Sequence, residues 1–424
     1  LLPLIDGKEV KRRWSGRLLA REGVAARVRE IIAAVKREGQ AAVERYTLEL
    51  DGVDLKEAGF RVTREEIGAA YRAVSPDLLE ALRIARDNIA TYHRRQPRGS
   101  WMETAADGTI LGQICRPLGR VGLYVPGGTA AYPSSVLMTA VPARVAGVRE
   151  IALATPPRRD GTLPPLLLVA AAEAGVEEIY KMGGAQAVAA LAYGTEKVAP
   201  VNKIAGPGNI YVTLAKKEVY GQVDIDMLAG PSEIVVIADG KARPDWVAAD
   251  LLSQAEHDAL AGAVLITPDA GLARAVGEEV TRQLEALPRR EIASRSLADY
   301  GAAVVVTGLD AAMDLANSLA PEHLELYVSE PWSWLGRVEN AGAIFLGPYS
   351  SEPLGDYLAG PSHVLPTGGT ARFYSPLSVD TFLKKSSLIA CNRAGFRAAA
   401  GYIQALARAE GLEGHARAIE LREE

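Results

Sequence analysis

From Gly119 onward the chain repeats one pattern: a short β-branched or apolar run, a glycine or proline stop, then an alanine-rich or apolar stretch of helical length. The run 121–125 passes into PGG, 151–154 into TPP, 178–182 into GGAQ and 201–205 into GPGN. Strands alternating with helices at this spacing predict βαβ units and a doubly wound parallel sheet. The runs 233–237, 263–267, 302–306 and 343–346 continue the alternation, so a second α/β domain is expected to follow, with the boundary near Gly230 and Pro231.

The remainder is read from composition and from the ends of the chain. At 424 residues, 48% hydrophobic and 23% charged, the chain is too apolar for disorder and long enough for roughly two to four domains. A formal charge of −5 argues against nucleic acid as a partner. The longest apolar runs, such as 166–172, fall far short of the ~20 residues that span a bilayer. The opening LLPLIDGKEVKRRW places its charges after its apolar residues, unlike a signal peptide, and two cysteines do not make a disulfide framework. The expectation is a soluble protein of a reducing cytoplasm. The first hundred residues read as helical, with Ser75, Pro76 and Asp77 as a cap and first turn, while 377–389 has room for strands and 396–408 is helical.

Four glycine turns, VPGG (125–128), MGGAQ (182–186), AGPGN (205–209) and AGPSE (229–233), are expected at strand ends, where backbone can approach an anionic ligand. Each alone reads equally as a tight turn; four together favour a ligand crevice. None is a GxGxxG followed by an acid about twenty residues on.

With only five histidines, the place of each matters. Gln254 and His257, in SQAEH, stand three apart in a predicted helix and so on one face, able to offer two groups to one ion or to serve as hydrogen-bonding partners. Glu322 and His323, in APEHLEL, are expected at the entry to a short strand, as a proton-transfer pair or as a surface turn. Asp356, followed seven residues later by His363, lies in a glycine-rich stretch that reads as a ligand loop or a lid. His415 lies in the polar C-terminal segment, and His93, between Tyr92 and Arg94, is expected at the surface.

Longer strings carry a resemblance. RVGLYVPGGTAAYPSSVLM, GGAQAVAALAYGTE, KIAGPGNIYV, DMLAGPSEIVVIAD, DLLSQAEHD, APEHLEL, GDYLAGPSHVLPTGGTARFYSPLSV and EGLEGHARAI together resemble the histidinol dehydrogenase family, in the family's order from about residue 119 to the end. Leu228 and Ser362 depart from the usual family residues, Pro and Asn, without touching a residue carried over.

The resemblance implies an NAD-dependent, zinc-containing homodimer that oxidises L-histidinol through L-histidinal to L-histidine in histidine biosynthesis. It implies Gln254, His257, Asp356 and His415 as zinc ligands, and Ser232, His323 and Glu410 beside those four as substrate contacts. Tyr124, Gln186 and Asn209 would meet NAD, and Glu322 and His323 would be the catalytic pair. It also implies a tail that crosses to the partner subunit. The expected division is then a helical region 1–118 packing on the second α/β domain, a Rossmann-like NAD domain 119–230, a second α/β domain 231–368 carrying zinc and catalytic residues, and a tail 369–424.

Two alternatives belong to other classes: a zinc hydrolase, which would turn over without NAD, and a non-catalytic nucleotide-binding protein. Cys115 in QICRP is the one cysteine near the glycine turns, and with only Arg116 beside it a packing role is expected rather than a nucleophile's.

Overall fold

The computed structural model describes residues 2–16, 22–96, 99–127 and 132–423; Gly128 of the VPGG turn lies outside them. The chain divides into two compact units, Leu1–Gln96 with Leu118–Phe382, and Pro97–Pro117 with Leu383–Glu424.

In the first unit, the strand Arg120–Tyr124 is buried along its length and pairs in parallel with Glu150–Thr155 on one side and Lys203–Ala205 on the other. Glu178–Lys181 and Asp224–Ile225 extend the two sides, giving five parallel strands in the order third, second, first, fourth, fifth. Parallel neighbours need crossovers, and the helices Pro133–Ala146, Pro165–Glu173, Gly184–Tyr193 and Ile210–Val219 supply them.

A second parallel sheet in the same unit repeats that order with Ala302–Val305, Gly262–Thr267, Glu233–Ala238, His323–Tyr327 and Ala343–Leu346. Its central strand buries both faces. Ile234, Val236 and Ala238 enter a core with Val247, Leu251 and Val276, whereas Val235 and Ile237 enter another with Trp14, Met313 and Leu324. This is the two-residue period of a strand covered by helices on both sides. The expected pair of doubly wound sheets is therefore present.

The segment 1–118, expected as one helical region on the second α/β domain, is instead divided. Residues 2–16 do join the second sheet: Leu4 bridges Ala303, and the Ile5 amide donates to the Ala303 carbonyl at 3.1 Å. The helices Glu22–Glu38 and Gln40–Asp51 pack on the first sheet, where Val28, Ile31, Val43 and Tyr46 share a core with Tyr124, Tyr180 and Leu191. Residues 101–117 are not helical at all. Trp101–Thr104 and Ile110–Pro117 form an antiparallel sheet with Leu383–Ala390 in the second unit. Trp101–Thr104 pairs locally with Ile110–Pro117, but the other partner of Ile110–Pro117, Leu383–Ala390, lies hundreds of residues away, so no local window of sequence contains the whole sheet. The second unit ends in two packed helices, Arg393–Ala409 and Glu413–Glu420.

His93, expected at the surface, is fully buried on the helix Pro76–Arg94, where its Nδ1 donates to the Ile89 carbonyl at 2.8 Å. Leu82, Ala85, Ile89 and His93 recur at helical spacing, so the buried stripe of this helix runs through the imidazole. No helix among the described residues is long and apolar enough to cross a membrane.

Candidate active site

The first sheet presents its glycine turns at the carboxyl ends of its strands. Tyr124 closes the central strand, and its phenolic oxygen accepts the Gly184 amide at 3.1 Å. Burial pushes that phenol up to about 12, so it remains an O–H donor at any physiological pH. Gln186, in the first turn of Gly184–Tyr193, is 1% exposed and its buried Oε1 has no hydrogen-bond partner. Asn209 caps Ile210–Val219, its Oδ1 accepting from the Tyr211 and Val212 amides at 3.0 and 3.2 Å. The AGPGN turn between them is tightly made. Gly206 has φ of 116°, and a Cβ there would lie 2.1 Å from the Tyr124 carbonyl oxygen. Asp226 accepts the Gly206 amide, and Lys216, in a buried ion pair with Asp226, donates to the Gly206 carbonyl at 3.0 Å. Lys216 and Asp226 were not singled out from the sequence, although Asp226 opens the DMLAGPSE string.

AGPSE, expected at a strand's carboxyl end, precedes Glu233–Ala238 and so lies at the amino end of the second sheet. There the fourth strand begins at His323, paired with Ile234. The chain reaches this strand through Ala320, a non-glycine residue in the left-handed region with φ of 47°, which ends the helix Leu309–Leu319 and starts the APEH turn.

Glu322 and His323 are buried, which excludes the surface-turn alternative. Both grip one residue. Glu322 Oε2 accepts the Glu233 amide at 2.8 Å, and His323 Nδ1 donates to the Glu233 carbonyl at 2.9 Å. Because a carbonyl can only accept, Nδ1 carries the proton and Nε2 of the neutral ring keeps its lone pair. Burial, against the raising effect of that bond, lowers His323 to about 3. Burial first and the neighbouring Glu233 charge second push Glu322 well above the usual carboxylate range.

Beside this pair lies a candidate cation-binding cluster. Ligand atoms of His257, Glu352 and Asp356 lie within 4.8 Å of one another. Gln254 was expected on one helical face with His257, but the helix Pro244–Ala255 ends between them, and His257 sits in the following turn with its amide bonded to the Gln254 carbonyl at 3.2 Å. Gln254 is fully buried, and both atoms of its amide lack partners. Such atoms are normally satisfied, which makes Gln254 a candidate ligand residue.

Asp356 stands in a short helix, Glu352–Tyr357, and not in an irregular loop. His363 holds that helix, its Nδ1 donating to the Asp356 carbonyl at 3.2 Å while Nε2 meets Ser135 Oγ at 3.1 Å. Glu352 was not singled out from the sequence, although its place four residues before Asp356 puts the two carboxylates on one helical face. Its amide donates to Glu325 Oε1 at 2.7 Å and its Oε2 accepts from Ser253 Oγ at 3.1 Å.

Burial and then the Asp356 charge push Glu352 up to about 8, and burial raises Asp356 to about 6. Asp250 is likewise raised to about 6, and burial pushes Glu325 well up beside it. Carboxyls crowded out of water in this way are stabilised as anions by a divalent ion, and imidazole, carboxylate and amide oxygen suit zinc. The residues present fit that metal.

Ser232, half-buried beside Glu233, accepts the Gly262 amide through its carbonyl at 3.0 Å. Glu410 and His415 are exposed in the second unit, Glu410 in the turn that closes the helix Arg393–Ala409 and His415 on the helix Glu413–Glu420, and the first unit's cluster is assembled without them. Cys115 lies in the second unit's sheet opposite Lys385.

Two doubly wound sheets, one with glycine turns and an unsatisfied buried amide oxygen, the other with a buried imidazole beside a candidate cation-binding cluster, have the features of a Rossmann-like α/β oxidoreductase with a candidate metal centre. The family model described as histidinol dehydrogenase matches residues 17–423. A histidinol dehydrogenase from Heliobacterium mobile is 61% identical over 94% of this chain and 93% of its own length. One from Geobacillus kaustophilus is 60% identical over 93% of both chains. The crystal structure of histidinol dehydrogenase from Elizabethkingia anophelis superposes with a TM-score of 0.92 at 38% identity, covering 97% of this chain and 95% of that one. The chain belongs to the histidinol dehydrogenase family, whose members are NAD-dependent and zinc-containing.

Proposed function

We propose that the protein oxidises L-histidinol through L-histidinal to L-histidine, reducing one NAD in each of two steps, as the closing reactions of histidine biosynthesis. The observation that carries this reading is the tautomer of His323. Its Nδ1 is committed to the Glu233 carbonyl, which leaves Nε2 as a fixed acceptor beside the cation cluster. In the alcohol step His323 takes the hydroxyl proton as hydride departs from carbon. In the aldehyde step Glu322 takes a proton from the water that adds to the carbonyl. A carboxylate whose pKa is raised is the stronger base once ionised.

Gln254, His257 and Asp356 hold the metal, with His415 completing the set, and Glu352 holds the helix that carries Asp356. Zinc, when bound, would supply a fixed charge and positions for the imidazole and amine of the substrate. Ser232 and Glu410 contact the substrate; Tyr124, Gln186 and Asn209 contact NAD. No thioester is required.

The protein works as a homodimer in which the tail of a second copy delivers Glu410 and His415. In support, the helix Arg393–Ala409 leaves Tyr402 and Leu406 77% and 67% exposed, an apolar face that a lone subunit would show to water. Truncation after Ala400 is expected to leave a folded core without tight zinc, read by metal analysis; an active truncated protein excludes the exchange. The cytoplasm is the compartment proposed, consistent with two free cysteines.

The deciding experiment incubates the purified protein with L-histidinol and NAD and follows NADH by absorbance. Two NADH per histidinol are expected. Turnover without NAD would replace this reading with a hydrolase.

A further inference from the structure

In dinucleotide-binding sheets an acid at the carboxyl end of the second strand takes the adenosine ribose hydroxyls. Here the second strand, Glu150–Thr155, is followed by Pro156, Pro157, Arg158 and Arg159, with no acid among them. Asp160, the next carboxylate, is already used, accepting the Thr162 amide at 2.9 Å and its hydroxyl at 2.7 Å. The local sequence therefore offers cations where a carboxylate is usual.

A carboxylate does reach this end of the sheet, from another part of the chain. Asp51 closes the helix Gln40–Asp51, and its Oδ2 is buried without any hydrogen-bond partner. Its charge acts on the Tyr124 phenol, at the end of the first strand. Two residues on, Val53 packs with Ala58 around Gly161, in the loop that leaves the second strand. Two more buried polar atoms at the same end lack partners: Thr155 Oγ1, which closes the second strand, and Gln186 Oε1, which opens the helix after the third. Thr155 and Gln186 are each 1% exposed. Two of the three orphan atoms, Oδ2 of the Asp51 carboxylate and Oε1 of Gln186, can only accept. Buried acceptors of this kind call for a ligand that brings O–H or N–H donors. A vicinal diol brings two, whereas a phosphate brings a second negative charge against Asp51.

We propose that Asp51 accepts the hydroxyls of the adenosine ribose of NAD and thereby excludes a dinucleotide carrying a 2′-phosphate. Asp51 stands in for the acid missing after the second strand, and it overrides Arg158 and Arg159, which alone would favour the phosphorylated cofactor. The proposal rests on the reading that the first sheet holds NAD.

The test measures KM and kcat of the full-length enzyme with NAD, NADP and the 2′-deoxyadenosine form of NAD, for the wild type and for Asp51→Asn and Asp51→Ser, with thermal unfolding and zinc content alongside. The wild type is expected to show a KM about tenfold to a hundredfold higher for the 2′-deoxy cofactor than for NAD. Asp51→Asn is expected to raise the KM for NAD by a similar factor, to lose most of the penalty for the missing hydroxyl, and to narrow the preference for NAD over NADP. Its zinc content should match the wild type's. A wild type that uses NAD and 2′-deoxy NAD equally well overturns the proposal, even if neither variant folds. So do folded variants whose cofactor preferences are unchanged, which would make Asp51 a hydrated structural acid only. A wild type that reduces no NAD in the presence of histidinol sinks the functional reading instead.

Discussion

The two parallel sheets share one strand order and place their polar groups at opposite ends of it. In the first, Tyr124, Thr155 and Gln186 gather where the strands finish. In the second, Glu233 and His323 are the first residues of adjacent strands, and the acids and imidazoles gather where the strands begin. The Glu233 and His323 pair straddles the switch point between the first and fourth strands of its sheet, whereas Thr155 and Gln186 belong to the second strand and to the helix after the third, on one side of it. The rule that ligands bind at the carboxyl ends of such sheets therefore describes only one of them. The chemistry differs with the position. Unsatisfied amide and hydroxyl groups suit a nucleotide, while crowded carboxyls raised by burial suit a cation.

The sharpest way to break this division is to damage the second sheet's pair. His323→Ala is expected to lower kcat by about a hundredfold to ten-thousandfold with NAD affinity retained. Glu322→Gln should slow oxidation of added histidinal far more than oxidation of histidinol to the aldehyde, because only the aldehyde step consumes water. Equal losses in the two half-reactions, measured by rapid kinetics, reject separate roles for the two residues.

Next in size is the metal. His257→Ala and Gln254→Ala are expected to lose zinc on dialysis and histidinol binding with it, by about tenfold or more, while NAD still raises the melting temperature. Full zinc loss with unchanged histidinol binding in calorimetry refutes the template role.

The first sheet gives the converse. Gly206→Ala forces a Cβ onto the Tyr124 carbonyl oxygen, and about 2 kcal/mol or more of stability should go, together with a raised KM for NAD. Zinc content should stay unchanged in the folded fraction; a parallel fall in zinc would mean the sheets are not separable.

The smallest effect is with pH. Glu352 is raised from 4.5 to about 8, so its contribution to the stability of zinc-free protein is fully present below pH 4.5 and is lost as pH rises through 8. His323 and His363, lowered to about 3 and 4, act with the opposite sign and only below about 6.5, where unfolded histidine takes up a proton. Between pH 8.5 and 6.5 the carboxyls therefore govern, and chelated protein should melt higher at 6.5, with a slope of up to about 1.4 kcal/mol per pH unit for each such group. Zinc-loaded protein should show no such rise. Identical pH trends with and without chelator would separate the raised carboxyls from the metal.

Legibility followed the range of the interactions. The alternation from 121 to 346 is local, since each strand and its glycine stop lie within ten residues, and it showed both sheets. The Glu322 and His323 pair was legible through the resemblance, yet its burial was not, because the backbone both side chains bond to, that of Glu233, lies 90 residues before His323. His93 was misplaced for a related reason: its polar neighbours masked the apolar stripe three and four residues back. Glu352 had a local signal, its spacing from Asp356, while Asp51 had none, because the burial of its Oδ2 without a donor exists only in three dimensions.

The sequence alone determined the repeated α/β units, the family and the residue types of both sites, because these depend on short-range patterning and on strings that survive as strings. Only the tertiary structure decided at which end of each sheet the buried polar groups gather, which tautomer His323 holds, and which buried acids share one cluster. Those depend on burial and on pairing across long separations, and a buried polar group takes its properties from whatever the fold brings against it.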